Sequence, residues 1–179
     1  DDMLIVNNLN GFGAGGSLSL TQKGYGYIES ESTGNLTMSY ANVSSGSAPS
    51  AGDLVVWMVG AVDTAAQAIN DMTGSGWAQS RSYTDPACAS VLAKVVAAGD
   101  VASPGTVVTA PTNGAAGLWI AYSVSGSIAS LTAGGLSIVY SGVSDPGDAS
   151  LNASSAALAV MLSYGFGTLG TSLAWSGAT

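Results

Sequence analysis

Large apolar side chains alternate with small or hydroxylated ones along much of this chain. The alternation recurs over residues 36–43, 89–97, 118–124 and 158–164, and a period of two predicts strands with one large-residue face. Leu54–Val62 is apolar at every position except its glycine, which predicts a central strand covered on both sides. Only residues 65–72 have a helical composition. We therefore expect at most one short helix there, with Thr64 as its N-cap, or else an ordered loop.

Turn-forming residues separate the predicted strands at intervals of roughly ten residues. They include the segments 44–52, 74–76, 99–100, 113–114 and 145–148. Short strands separated by turns at such regular intervals are typical of an antiparallel sandwich or barrel. We predict an all-β fold, an antiparallel β-sandwich of jelly-roll-like type. The length of 179 residues fits one such domain, because domains average about 150 residues.

The first sixteen residues differ in character from the rest of the chain. An apolar tip that contains Leu4, Ile5 and Val6 is followed by a glycine-rich stretch around Phe12. Glycine allows such a segment to bend away, and burying its apolar side chains on a neighbour would be favourable. We predict an assembly arm over residues 1–16 and a single β-sandwich domain over residues 17–179. The alternative is an ordinary first strand and its turn.

Charge and residue content exclude several classes of function. The chain has eleven acidic and three basic side chains, no histidine and a net charge of −8. Three cations cannot form the basic patch that nucleic-acid binding needs. Without histidine there is neither a Ser-His-Asp triad nor a histidine-based zinc site. Apolar runs are far shorter than the ~20 residues of a membrane helix, so we expect no membrane partner.

The remaining polar motifs give weak signals for chemistry. Glycines 11–16 match the dinucleotide fingerprint only loosely, and the alternating residues that follow predict a strand where that motif needs a helix. The acidic turn at 145–148 lacks the ligand spacing of a calcium loop. Glu29 and Glu31 share one face of a predicted strand, so they cannot flank a sugar from opposite sides. We predict no catalytic residue, cofactor or metal, and hence no enzyme.

Aromatic side chains offer the remaining candidate site. Tryptophans that face solvent on a sheet can act as platforms for sugar rings, because indole combines an apolar face with a polar edge. Trp57 and Trp119 lie in strongly apolar strands, where burial in the core is expected. Trp77 follows Gly74-Ser-Gly and is the tryptophan that we expect to be partly exposed. It is therefore the candidate glycan contact.

Several motifs resemble a group of small β-sandwich proteins encoded by tailed bacteriophages. They are Ala51-Gly-Asp-Leu-Val-Val, Gly76-Trp77, Val91-Leu-Ala-Lys-Val-Val-Ala-Ala-Gly-Asp and Leu118-Trp-Ile-Ala-Tyr-Ser-Val-Ser-Gly. The opening Asn10-Gly-Phe-Gly-Ala-Gly-Gly is also similar to the start of several phage virion proteins, many from marine phages. The resemblance covers about residues 3 to 165 and implies a component of the virion surface, either a capsid decoration protein or part of a tail fibre or spike.

Two hypotheses on function follow from these observations. The first is a non-enzymatic structural protein of the virion surface, whose partners are copies of itself and other virion proteins. The second is a carbohydrate-binding module that recognises a glycan on the host surface. The first predicts stable homo-oligomers, and the second predicts a strip of aromatic side chains facing solvent. A tail fibre can combine both.

Overall fold

The fold is all-β and antiparallel, as the alternation of the sequence predicts. The computed structural model describes residues 2–7, 19–30, 35–62, 69–84, 87–101, 104–108, 114–126, 128, 137–141 and 160–164. The strands are β1 (Asp2–Asn7), β2 (Ser19–Ser30), β3 (Leu36–Met38), β4 (Ser45–Gly46), β5 (Leu54–Val62), β6 (Ala78–Thr84), β7 (Ala87–Val95), β8 (Gly105–Val108), β9 (Ala115–Ser125), β10 (Ser137–Ser141) and β11 (Val160–Tyr164). Two short 3-10 turns, η1 (Thr73–Ser75) and η2 (Ala98–Val101), interrupt them.

Residues 69–72, the part of the segment 65–72 that the structure describes, form an ordered loop and not a helix. Ile69 forms an isolated antiparallel bridge with Val108 of β8, and Asn70 donates its backbone N–H to Val107. The segment therefore follows a neighbouring strand instead of bonding to itself. Residues 65–68 lie outside the described residues. None of the described residues forms a helix long and apolar enough to cross a membrane.

A six-stranded sheet with the order β4-β2-β9-β5-β7-β6 is the centre of the fold. β5 lies between β9 and β7, and its side chains are buried on both faces. This confirms the central strand that the unbroken apolar sequence predicts, because a strand covered on both sides has no polar face.

One face of this sheet carries the aromatic core. A row of directly opposite residues crosses five strands, and its members are Gly26, Trp119, Trp57, Leu92 and Gln79. The small sheet formed by β3 and β8 packs over this row with buried apolar side chains. β3 is shorter than predicted because the chain turns after Met38, where the Ala41 N–H bonds to the Ser39 hydroxyl and replaces the ladder.

The opposite face of the sheet has a second apolar cluster. Leu54, Val56 and Val91 are fully buried there. Towards β2 the cluster becomes half-buried, at Leu118 and Ile120 of β9. The sheet is therefore well covered at its centre on this face and partly open towards β2.

The predicted arm residues Leu4, Ile5 and Val6 lie in β1, the central strand of a three-stranded sheet with the order β10-β1-β11. Both backbone edges of β1 are therefore paired within the chain, which leaves no edge to donate to a neighbour. This pairing corresponds to the alternative to the assembly arm, in which the segment is an ordinary first strand. Phe12 and the glycine-rich stretch lie outside the described residues.

Candidate functional site

Trp77 does not form the exposed glycan contact that the sequence predicts. The residue is only 3% exposed and belongs to the aromatic core. Gly76, with its φ of 81°, ends η1 and turns the chain inward, and the ammonium group of Lys94 lies 5.7 Å from the centroid of the indole ring. Burial under a lysine leaves no free ring face for a sugar. The burial predicted for Trp57 and Trp119 is confirmed, since neither is exposed.

Among the aromatic residues whose side chains the structure describes, Tyr25 and Tyr27 on β2 are the exposed ones, and the sequence analysis missed them. They are 37% and 55% exposed and alternate with the buried Gly24 and Gly26. A methyl group on Gly26 would overlap the carbonyl oxygen of Asn42, and one on Gly24 would overlap that of Ser47, so these two inward positions have room only for glycine. The signal in the sequence is this strict Gly-Tyr-Gly-Tyr alternation, with both tyrosines on the outer face.

The pair of tyrosines, which we call the Tyr25–Tyr27 surface, has an apolar side and a polar side. On β9, Ile120 lies opposite Tyr25 and Leu118 lies opposite Tyr27, and both of these β9 residues are half-buried. On the other side Ser45 of β4 lies opposite Tyr25. Directly opposite residues of neighbouring strands share a face with Cβ atoms about 5 Å apart, so both rings have apolar neighbours along one side, and Tyr25 has a serine along the other.

A broad open depression adjoins this surface at the edge of the sheet. It has a volume of about 370 Å³ and is lined by Tyr27, Ile28, Asn42, Val43 and Ser44. Its size falls within the ~300–1,000 Å³ of small-ligand sites. Asn42 and Ser44 are exposed, and their amide and hydroxyl groups can both donate and accept hydrogen bonds. The depression therefore combines apolar contact area with neutral hydrogen-bonding groups.

All three basic side chains of the protein form ion pairs within the fold. Lys23 lies 2.7 Å from Asp53, Lys94 lies 2.9 Å from Asp100, and Arg81 lies 3.6 Å from Asp71. The first two pairs are mostly buried, whereas the third is exposed. No unpaired lysine or arginine is therefore left to attract an anionic ligand, and the net charge of −8 does not attract one either.

The two Gly-Asp motifs within the described residues, at Asp53 and Asp100, perform the same structural task. Asp53 accepts the backbone N–H of Ser50 at 2.7 Å and the Lys23 ammonium, and Asp100 accepts the N–H of Ala97 and the Lys94 ammonium, both at 2.9 Å. In each case the carboxylate closes a turn three residues back and fixes a lysine. Burial alone would raise the pKa of Asp100, but these two donors lower it below its ordinary value.

The described residues contain no group of carboxylate, cysteine or histidine side chains that could hold a metal ion. The thiol of Cys88 is buried and donates to the carbonyl oxygen of Ala61 at 3.4 Å. The backbone of Glu29 lies in β2. Glu31 and the acidic turn at 145–148 lie outside the described residues. The carboxylates in the ion pairs stabilise turns and do not converge on a cleft.

Three aromatic side chains with unpaired polar atoms meet in the core. The Tyr40 ring lies 6.1 Å from Trp57 and 5.8 Å from Trp119, measured between centroids. The Tyr40 hydroxyl and both indole N–H groups are buried without a hydrogen-bond partner. Burial raises the pKa of Tyr40 far above its ordinary value. The cluster is sealed from solvent, so its contribution is to packing.

Comparisons with protein-family models, with curated proteins and with solved structures found no match for this chain.

Proposed function

We propose that this protein is a non-enzymatic structural component of a bacteriophage virion surface, in a capsid decoration or a tail fibre, and that it acts by packing against copies of itself and other virion proteins. The proposal includes a jelly-roll-like β-sandwich as the packing unit. Approach of β10 to β6 and β7 supports such a two-sheet arrangement. The phage-like motifs support the virion setting. Within the described residues these motifs are the turn before β5, the turn after η1, and parts of β5, β7 and β9 with the turns that follow them.

The observation that carries subunit packing is the long edge of β2. This strand spans twelve residues, pairs with β9 along its length, and has only the two-residue β4 on its other side among the described strands. A long strand edge is a template for pairing with another chain. Two subunits of net charge −8 repel one another, and physiological salt screens this repulsion beyond about 8 Å.

The edge can be blocked with one substitution. Lys23 and Tyr25 direct their carbonyl groups towards β4, where Ser47 and Ser44 donate to them. By strand alternation the backbone of Glu29 faces the same edge beyond the end of β4. Glu29→Pro removes an outward N–H group and blocks pairing there, whereas Glu29→Gln removes the charge and keeps the N–H.

The test measures the mass of the full chain by light scattering and native mass spectrometry up to about 100 µM. We expect an oligomer for the natural chain and for Glu29→Gln, and a monomer with an unchanged circular dichroism spectrum for Glu29→Pro. Antibodies to the chain should label particles of the phage that encodes it. A natural chain that is monomeric throughout, or particles that carry no label, would overturn the proposal.

Carbohydrate binding is the second candidate function. The observation that favours it is the exposure of two aromatic rings on one face of β2, since a solvent-facing aromatic strip is what a glycan-binding module needs. The two functions are compatible, because side chains project from the face of a sheet while the backbone edge lies in its plane.

A further inference from the structure

We propose that the Tyr25–Tyr27 surface and the adjoining depression bind a neutral glycan. This inference rests on the second candidate function and adds to it the binding residues and the class of ligand.

The first argument is the placement of the exposed rings. Among the aromatic residues with described side chains, Tyr40, Trp57, Trp77, Trp119 and Tyr122 are buried, whereas Tyr25 and Tyr27 are exposed. Their Cα atoms are two residues apart on one strand, about 6.8 Å, so the rings present one continuous aromatic strip. Sugars have an apolar C–H face that packs on such rings, and a tyrosine hydroxyl still reaches the solvent for a hydrogen bond.

The second argument is the set of polar groups beside the two rings. Ser45 lies opposite Tyr25, and Asn42 and Ser44 line the depression that Tyr27 shares. Hydroxyl and amide groups are the natural partners of sugar hydroxyls, because each both donates and accepts. A purely apolar peptide or lipid tail would leave these polar groups without partners, which disfavours it as the occupant.

The third argument is charge, which selects the class of glycan. Acidic sugars and sulfated polymers need a cationic side chain to hold their anionic groups. All three basic side chains of the protein are engaged in ion pairs, and Lys23, the one on β2, is held by both Asp53 and Ser50. The protein as a whole is acidic, so it repels anionic polymers. A neutral glycan is the class that this surface fits.

The test titrates the full natural chain with neutral and acidic oligosaccharides. Chitohexaose, cellohexaose and maltohexaose are the neutral probes, and oligogalacturonate and dextran sulfate are the acidic ones, each to about 10 mM. Nuclear magnetic resonance of labelled tyrosine rings reports the site. We expect a neutral probe to shift the Tyr25 and Tyr27 signals and to leave the buried Tyr40 and Tyr122 unchanged.

The variants separate stacking from other effects. Tyr27→Ala should weaken binding of the neutral probe about tenfold, because it removes one stacked ring. Tyr27→Phe keeps the ring and should stay within about threefold of the natural chain. Val101→Ala, at an exposed apolar residue of η2, is the matched control and should bind as the natural chain does.

Crossing these variants with Glu29→Pro distinguishes the two functions. A monomeric Glu29→Pro chain that still binds the probe, and a Tyr27→Ala chain that still forms the oligomer, support the two functions as separate. The glycan assignment is overturned if no neutral probe binds, if acidic probes bind as tightly, or if Tyr27→Ala lowers the oligomer mass and leaves glycan binding intact. The last outcome would make the surface an interface between copies of the chain.

Discussion

The buried amide of Gln79 connects the two sheets that enclose the aromatic core, and its replacement gives the sharpest test of this fold. Gln79 is 6% exposed. Its Nε2 donates to the Asn70 carbonyl oxygen at 2.9 Å and to the Ser90 hydroxyl at 3.0 Å, and its Oε1 accepts the Met72 N–H at 2.8 Å. Asn70 in turn bonds to β8 through its backbone N–H and its side chain. Gln79 therefore ties the segment beside β8 to the edge strand β6.

Gln79→Leu keeps the approximate size of the side chain and removes all three hydrogen bonds. The Ser90 hydroxyl keeps its bond to the Ser80 carbonyl oxygen, so the bonds lost without replacement are those of the Met72 N–H and the Asn70 carbonyl oxygen. Each such loss costs about 1–3 kcal/mol, so the free energy of unfolding should fall by about 2 kcal/mol or more. Since a domain has only about 5–15 kcal/mol of stability, this is a large share. For a chain of this size it corresponds to a fall in Tm of about 4 °C or more.

The assay is urea unfolding followed by tryptophan fluorescence, with hydrogen exchange to locate the effect. We expect amides of residues 69–72 and 105–108 to lose protection first. Gln22→Leu makes the same change at an exposed position of β2 and should alter stability by no more than about 0.5 kcal/mol. A loss below about 1 kcal/mol for Gln79→Leu, or equal losses at both positions, would refute the reasoning.

Three further outcomes are expected. Gly26→Ala should destabilise the protein by about 2 kcal/mol or more, because the new methyl group overlaps the Asn42 carbonyl oxygen. Gly99→Ala is the control, since its Cβ has nothing within 4 Å, and its stability should stay within about 0.5 kcal/mol of the natural chain. Equal losses in urea unfolding would contradict this. Burial raises the pKa of Tyr40 and Tyr122 above the ordinary 10.0, so above pH 10 the unfolded chain loses phenolic protons that the folded chain keeps. The free energy of unfolding should therefore be constant with respect to these groups below pH 10 and fall above it, by about 1.4 kcal/mol per pH unit for each hydroxyl that stays protonated in the fold. A free energy of unfolding that does not change from pH 9 to about pH 11 would contradict this. Tyr40→Phe removes an unpaired hydroxyl and should leave stability at pH 7 unchanged or slightly higher while reducing that alkaline fall; a loss of about 1 kcal/mol or more would mean that the hydroxyl has a partner.

The sequence predicts the central strand well because burial on both faces leaves a direct trace. Every position of Leu54–Val62 must be apolar or small, and the same requirement buries Trp57. By contrast, the sequence next to a glycine turn does not show whether a side chain there is buried or exposed. Trp77 follows a glycine-rich segment, yet Gly76 directs it into the core. The ring is covered by Lys94, a contact that the local sequence does not show.

The two tyrosines were missed for a related reason. Exposure of an aromatic residue depends on what the other strands leave uncovered, and the short β4 at the sheet edge is not visible in the sequence as a strand. The sequence shows the alternating glycines but not the reason for them. Glycine is required at position 26 because the backbone of Asn42, sixteen residues later, passes directly over the strand there. Contacts between distant segments of this kind follow from the fold and not from local pattern.

The motifs that resemble phage proteins and the surface that we propose to bind glycans are different parts of the molecule. Asp53 and Asp100 close turns and hold lysines, so the Gly-Asp motifs specify the fold. The Tyr25–Tyr27 surface lies on a strand outside those motifs. Substitutions of exposed side chains usually change stability little, whereas loss of a carboxylate that bonds a backbone N–H and a lysine removes part of a hydrogen-bond network. Changing Tyr25 and Tyr27 should therefore alter what the protein binds without altering how it folds, and changing either aspartate should do the reverse.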